Sequence, residues 1–185
     1  MTENIQAIGL VELNSIAQGI TTCDEMVKVA PVTLMLAMTI CPGKYISLVG
    51  GDVSSVQSSV RRGVETGGDF VVDSLFIPNI HEQVFPAIMG TGSRKDLRSI
   101  GVIETFSVAS AVVAGDGAAK AARVELVELR LAQGLAGKSF VTMTGDVSDV
   151  EAGVRAGVAL IRESGMLVKD VVIPRPHADL KQKLG

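Results

Sequence analysis

The sequence repeats itself, and this duplication limits what the chain can fold into. Residues Ile8–Glu12 read IGLVE, and Ile100–Glu104 read IGVIE at an offset of 92 residues. The offset rises to 94 where Gly51–Ser54 is matched by Gly145–Ser148, so the second repeat carries two extra residues in an intervening loop. Self-similarity over this distance predicts two copies of one small fold rather than a single large domain.

The two repeats predict the same order of helices and strands. In the first repeat we predict strands at residues 6–13, 32–40, 45–50 and 69–77, and helices at 15–29, 52–65 and 79–88. Ser15 and Asp52 have side chains that cap helix N-termini, and a Pro-Gly turn joins the middle two strands. The order β-α-β-β-α-β with a closing helix is the ferredoxin-like plan, an α/β (α+β) class. The predicted domains are residues 1–90 and 99–185, joined by a linker at 91–98.

Charge and composition exclude several classes of function. A net charge of −3 and an aromatic content of 3% argue against nucleic-acid binding. The longest apolar run, residues 29–40, is shorter than the about 20 residues of a membrane-spanning helix, and no secretory signal precedes it. We therefore expect a cytoplasmic protein with no membrane partner. No nucleophile–base arrangement is visible, so an enzyme is not expected. Repeats this small favour oligomers.

Five segments together carry a resemblance to a known family. They are IGLVE, DEMVKVA, the Gly-Lys pair at Gly43, GDVSSV and VIPRPH. This set closely resembles the bacterial microcompartment shell domain, twice over, across essentially the whole chain and in the unpermuted element order. The resemblance implies a tandem-domain protein whose homotrimer imitates the flat cyclic hexamer of single-domain members and packs beside other shell proteins.

Within that tandem group, Thr39–Lys44 resembles the pore turn of the propanediol-utilisation shell trimers that hold an iron–sulfur cluster. By this resemblance Cys41 faces the three-fold axis, and three Cys41 thiolates bind one [4Fe-4S] cluster per trimer. Such clusters take four thiolates, so the fourth iron would need an outside ligand. The second repeat has Gln133 at this place, which predicts three ligands rather than six. The other predicted pore residues are Pro42, Gly43, Gln133, Gly134 and Leu135.

Two further sets of residues are assigned to the rim of the tile by the resemblance. Lys28 and Lys120 lie near helix C-termini, where the helix dipole alone could account for a positive charge. The resemblance implies that they also pack against a neighbouring tile. His81, Arg175 and His177 follow strand ends on the same rim, with a structural role rather than catalysis or metal binding.

Several conspicuous residues have ordinary interpretations. We interpret Cys23 as a helix residue packed among its neighbours and not a ligand. Glu12 and Glu104 are interpreted as polar faces of strands, and Ser107 as a helix cap. Gly90–Ser93 superficially suggests a phosphate loop, but its place between the repeats favours a flexible linker.

Three functions remain open at the level of sequence. The first is a shell trimer whose cluster passes electrons across the shell to encapsulated redox enzymes. In the second, the same tile conducts metabolites through its pore, and Cys41 is only a small apolar residue in a tight turn. The third is a ligand-binding regulator, since ferredoxin-like duplications also serve in that role.

Overall fold

The structure is a computed structural model that describes residues 5–92 and 97–184. Its packing separates into two compact units. Unit 1 comprises Met1–Ile80 with Ala132–Gly137, and unit 2 comprises His81–Leu131 with Lys138–Gly185. Each unit therefore takes one short segment from the other repeat.

Unit 1 is a four-stranded antiparallel sheet with two helices packed on it. Its elements are β1 (Ala7–Leu13), α1 (Ile16–Val29), β2 (Thr33–Ile40), β3 (Lys44–Gly51), α2 (Val53–Gly67) and β4 (Val71–Pro78), with a 3₁₀ turn at Gly68–Phe70. The strand order is β2-β3-β1-β4. Side chains that alternate along β1, including Val11 and Leu13, bury themselves against Met26 of α1 and Val60 of α2. This face is the helix-covered core of unit 1.

Unit 2 repeats the same plan. Its elements are α3 (Val84–Ile88), β5 (Ser99–Thr105), α4 (Val108–Ala121), β6 (Glu125–Arg130), β7 (Ser139–Gly145), α5 (Val147–Ile161), β8 (Leu167–Ile173) and α6 (Ala178–Leu184), with a 3₁₀ turn at Arg162–Ser164. The strand order is β6-β7-β5-β8, which corresponds strand for strand to that of unit 1. The predicted duplicated ferredoxin-like fold is confirmed.

The helix caps explain where the main helices begin. The Ser15 hydroxyl accepts the backbone N–H of Gln18 at 3.3 Å, and the Ser107 hydroxyl accepts that of Ser110 at 3.0 Å. Asp52 accepts the backbone N–H groups of Ser54 and Ser55, both at 3.0 Å. The predicted caps at Ser15, Asp52 and Ser107 are confirmed.

The predicted closing helix at residues 79–88 was wrong in its first half. Asn79 has φ +54°, which a right-handed helix cannot accommodate, and the helix α3 begins only at Val84. The residues between Asn79 and Val84 instead form a turn whose N–H groups have side-chain acceptors.

The predicted domain boundaries stay predictions. Residues 93–96 of the predicted linker, which include Ser93 of the glycine-rich segment, lie outside the described residues. Within the described ranges, no helix is long and apolar enough to cross a bilayer.

Candidate functional site

The Cys41 turn lies at one end of the sheet of unit 1, between β2 and β3. Its three residues are Cys41, Pro42 and Gly43; the Cys41–Pro42 peptide is cis and Gly43 has φ +78°. The Cys41 thiol is in no disulfide and is half-buried. A thiol in this position is reachable from solvent without unfolding of the strands.

The loop 132–137 packs against this turn within unit 1. The backbone N–H of Cys41 donates to the carbonyl oxygen of Ala132 at 3.3 Å. At the other end of the loop, a Cβ placed on Gly137 would lie 2.8 Å from Cδ of Pro42 and 3.3 Å from the carbonyl oxygen of Cys41. Only a glycine permits this approach.

A groove opens beside the thiol. Its volume is about 380 Å³, and its lining includes Thr39, Cys41, Gly43, Gln133 and Gly134. The structure thus brings together four of the predicted pore residues. Pro42 lies against Gly137 instead, and Leu135 is half-buried and not part of this lining.

The donor set fits a cluster shared between copies and not one held by a single chain. In the part of the chain that the structure describes, no group of three or more His, Cys, Asp or Glu side chains is placed to hold a metal ion. One chain therefore offers one accessible thiolate at this turn, and an iron–sulfur cluster requires Cys41 from several chains.

An ion pair lies directly behind the turn and corrects one prediction. Lys44, the first residue of β3, donates to the Glu12 carboxylate at 2.5 Å, and the Glu12 side chain is fully buried. Glu12 is therefore not on a solvated strand face, because the sheet face that it occupies is covered. The equivalent pair in the second repeat is Lys138 with Glu104, at 2.7 Å. The Lys138 side chain is about two-fifths exposed and that of Glu104 about one-third exposed, which agrees with the prediction for Glu104.

Cys23 lies away from this groove. It is buried in α1, with 7% of its surface exposed, and it is close to Tyr45. Burial raises the pKa of Tyr45, and the nearby Cys23 adds to that shift. The prediction that Cys23 is a packed helix residue is confirmed.

The predicted rim lysines form ion pairs within their own helices. Lys28 pairs with Asp24, and Lys120 pairs with Asp116 at 2.7 Å. The hydrogen bond and charge of Asp24 raise the pKa of Lys28. Whether the two lysines also meet a neighbouring tile stays a prediction.

The two histidines differ in their surroundings. The backbone N–H of His81 donates to Asp116 at 2.8 Å, so this histidine is tied to α4. His177 is exposed, with its Nδ1 3.5 Å from Asp179, and Arg175 is exposed as well. The shared position in the repeat does not give the two residues the same contacts.

Sequence reasoning missed Gln83. Its side chain lies beside the edge strand β6: Nε2 donates to the Val124 carbonyl at 3.2 Å, and Oε1 accepts the Leu126 N–H at 2.8 Å. These contacts hold α3 against β6. No local signal could have revealed them, because the second repeat has Asp179 at the equivalent position.

Comparison with known families decides the identity of the fold. The family model described as the BMC domain matches residues 7–80 and again 99–176. The chain belongs to the BMC-domain family. Both matches cover the sheet and paired helices of one repeat, so the BMC domain occurs twice in tandem.

Full-length relatives of this BMC-domain protein are shell proteins. The bacterial microcompartment shell protein PduT of Citrobacter freundii is 45% identical over 179 residues, which cover 97% of each chain. The crystal structure of a microcompartment protein from Desulfitobacterium hafniense DCB matches this structure with a TM-score of 0.85, over 95% of this chain and 98% of that one. The two sequences are 53% identical. This chain is a structural bacterial microcompartment shell protein.

A more distant structure shares the fold. The fused permuted hexameric shell protein MSM0275 from the RMM microcompartment has a TM-score of 0.66 at 19% identity, over 84% of this chain and 83% of that one.

Proposed function

We propose that three copies of this shell protein form a ring, and that their Cys41 thiolates hold one [4Fe-4S] cluster that passes electrons across the shell. The observation that carries this proposal is the Cys41 turn itself. It presents one free, half-buried thiol per chain beside an open groove, and the described residues contain no group of three or more His, Cys, Asp or Glu side chains that could hold a metal ion.

Support for the ring comes from the packing of a closing helix on an edge strand. The chain makes this contact within unit 2, and the equivalent helix and strand of the other pair remain uncovered. In unit 2, α3 covers the edge strand β6: Val84 of α3 is fully buried and Leu126 of β6 is 1% exposed. In the other repeat the equivalent residues are uncovered. Leu180 of α6 is 39% exposed and Leu34 of β2 is 43% exposed.

An uncovered helix and an uncovered edge strand on one chain are complementary between copies. If α6 of one copy covers β2 of the next as α3 covers β6, each chain uses one helix and one strand edge, and the contact repeats around a ring. The sheet edge is then protected from open-ended pairing. With two repeats per chain, the six-membered ring of single-domain shell proteins closes with three copies.

The residues around the ligand have distinct roles in this proposal. Cys41 binds iron, while Pro42 and Gly43 set the direction of the turn. A bound cluster supplies a one-electron redox centre. Gln133 lies at the position of the second repeat that corresponds to Cys41, so each chain supplies one thiolate and the trimer supplies three. The fourth iron is left open to solvent or a small ligand. The redox partner belongs to the encapsulated enzymes, and other shell proteins adjoin the rim at Lys28 and Lys120.

A second candidate function shares the ring but not the cluster. The groove beside Cys41 is lined by polar groups of Thr39 and Gln133 as well as by the thiol. A pore bordered by such groups suits the passage of small polar metabolites, and Cys41 then serves only as a small side chain in the turn. Membership in a shell family leaves the ligand-binding regulator without support.

Anaerobic reconstitution with iron and sulfide tests the cluster. The expected product is a trimer with four irons per three chains, a sulfur-to-iron absorption band and a reducible paramagnetic signal. Cys41→Ser is expected to lose all three, whereas Cys23→Ala, which removes the buried thiol, keeps them. Equal iron binding by wild type and Cys41→Ser would favour the plain tile.

A further inference from the structure

Loop 132–137 has no cysteine, yet both of its ends contact the turn that does. Because it is the second repeat's version of the Cys41 turn, its lack of a thiol leaves it without an evident role in the proposed site. Its contacts with Cys41 and Pro42 lie within a single chain, so they exist before any copies assemble.

The backbone of this loop adopts conformations that need external support. Four of its six residues have positive φ: Ala132 at +55°, Gly134 at +70°, Ala136 at +50° and Gly137 at +89°. Alanine is disfavoured in this region, and such residues persist where their surroundings determine them. Ala132 is fully buried, and its carbonyl accepts the Cys41 N–H.

Gly137 closes the other side of the turn. A Cβ there would meet the Pro42 ring at 2.8 Å, the Cys41 carbonyl at 3.3 Å and Cε of Lys44 at 3.5 Å. These three groups therefore converge on Gly137, a position where no side chain is present. Ala132 and Gly137 together contact the Cys41–Pro42 segment from both ends of the loop.

We propose that loop 132–137 is the positioning element for Cys41, with Ala132 and Gly137 as the positioning residues that hold the thiol in the conformation used to bind iron. The inference rests on the proposed function for its purpose, and on the contacts above for its geometry. The two repeats then have different roles: the first supplies the Cys41 thiol, and the second supplies the loop that holds this thiol in position.

The chain offers a closely matched control in the same loop. Gly134 also has positive φ, but a Cβ there would meet nothing within 4 Å. Gly134→Ala thus imposes a similar backbone penalty without the contact on Pro42. Gly137→Ala imposes both.

The readout is the rate of alkylation of each cysteine by iodoacetamide in the full-length, cluster-free protein, resolved by peptide mass spectrometry. Buried Cys23 reports global opening, so the ratio of the Cys41 rate to the Cys23 rate isolates the turn. For Gly137→Ala we expect this ratio to rise about threefold or more, as local opening predicts. Gly134→Ala is expected to leave it near the wild-type value. An unchanged ratio in Gly137→Ala, or an equal rise in Gly134→Ala, would overturn the proposal.

A measurement on the wild type guards against a variant that does not fold. The Cys41 amide is expected to exchange its hydrogen much more slowly than an unstructured amide, since Ala132 accepts it; exchange at the unstructured rate overturns the proposal.

Reconstitution separates this inference from the proposed function. If wild type binds no cluster, the proposed function fails while the alkylation ratio still tests the support. If the wild type binds a cluster but Gly137→Ala leaves the ratio of the Cys41 and Cys23 alkylation rates unchanged, only the positioning role of loop 132–137 fails.

Discussion

Lys44 and Glu12 form a buried ion pair immediately behind the Cys41 turn, whereas their repeat equivalents Lys138 and Glu104 form the same pair partly in solvent. The chemistry and the strand register are shared: Glu12 lies opposite Ile46 and Glu104 opposite Phe140, while Lys44 begins β3 and Lys138 directly precedes β7. What differs is the covering of the sheet face. The duplication therefore provides an internal comparison of one ion pair in two environments.

Lys44→Met is expected to destabilise the protein by about 3–5 kcal/mol, because it removes the ammonium group that pairs with the fully buried Glu12 carboxylate. Lys138→Met removes a partly exposed pair and is expected to cost about 1 kcal/mol or less. Urea unfolding at one protein concentration measures both. The double variant Glu12→Leu/Lys44→Met is expected to recover most of the loss. Equal losses for the two lysine variants would show that burial is not what makes the first pair important.

Asp52→Ala is expected to lower the thermal unfolding midpoint by a few degrees, because it removes the cap of α2. Asp146, the cap residue of α5, makes no side-chain cap hydrogen bond, and its carboxylate forms an exposed ion pair with Arg98 at 2.5 Å. Since exposed pairs contribute little to stability, Asp146→Ala is the matched control and should change the midpoint less. A larger effect at Asp146 would contradict the assignment of the cap.

The same cap should show a dependence on pH. Hydrogen bonds from Ser55 and Ser54 hold the pKa of the Asp52 carboxyl well below its usual range. Because the pKa of Asp52 is lower in the folded state, the cap contributes its full stabilisation at pH values above the unfolded-state pKa of about 3.9. This stabilisation declines as the pH falls below that pKa. The difference in midpoint between wild type and Asp52→Ala should therefore narrow between pH 6 and pH 2. A constant difference would show that the charged form is not the one stabilised.

Ala136→Gly is expected to stabilise the protein by zero to about 1 kcal/mol. Ala136 is exposed at φ +50°, and relief of the left-handed penalty of about 1–2 kcal/mol exceeds the about 0.4–1 kcal/mol of added unfolded-state entropy. The same substitution at Ala159, exposed within α5, should destabilise by about 0.5–1 kcal/mol. Chemical denaturation distinguishes the two signs; destabilisation by both would mean that Ala136 is not strained.

Leu180→Glu is expected to convert the proposed trimer to monomers, because it places a charge on the exposed apolar side of α6 that we propose covers β2 of the next copy. Gln182→Glu is the control, since its equivalent in α3, Pro86, stays exposed beside β6. Light scattering after size-exclusion chromatography gives the mass. Circular dichroism should show native structure in both variants, because no residue of α6 is buried within the chain. A trimer that survives Leu180→Glu would place the contact elsewhere.

The fold of each unit could be predicted from the sequence because its signals are local. Alternation along β1, the capping residues before α1, α2 and α4, and the turn at Pro42–Gly43 each depend on a few neighbouring residues. The duplication then confirmed each assignment a second time. The closing helix was the exception, since its start depends on the backbone of Asn79 and on an acceptor in α4.

The candidate site could be predicted only in part. The sequence by itself determined that two BMC domains lie in tandem, that the turn after the second strand carries Cys41 in the first repeat and that its counterpart carries Gln133, because these are matters of order and residue type. Only the tertiary structure decided that Glu12 is buried, that Gln83 holds α3 against β6 and that Gly137 approaches Pro42. Burial and approach depend on which surfaces meet, and residues far apart in the chain meet only when the sheets have formed.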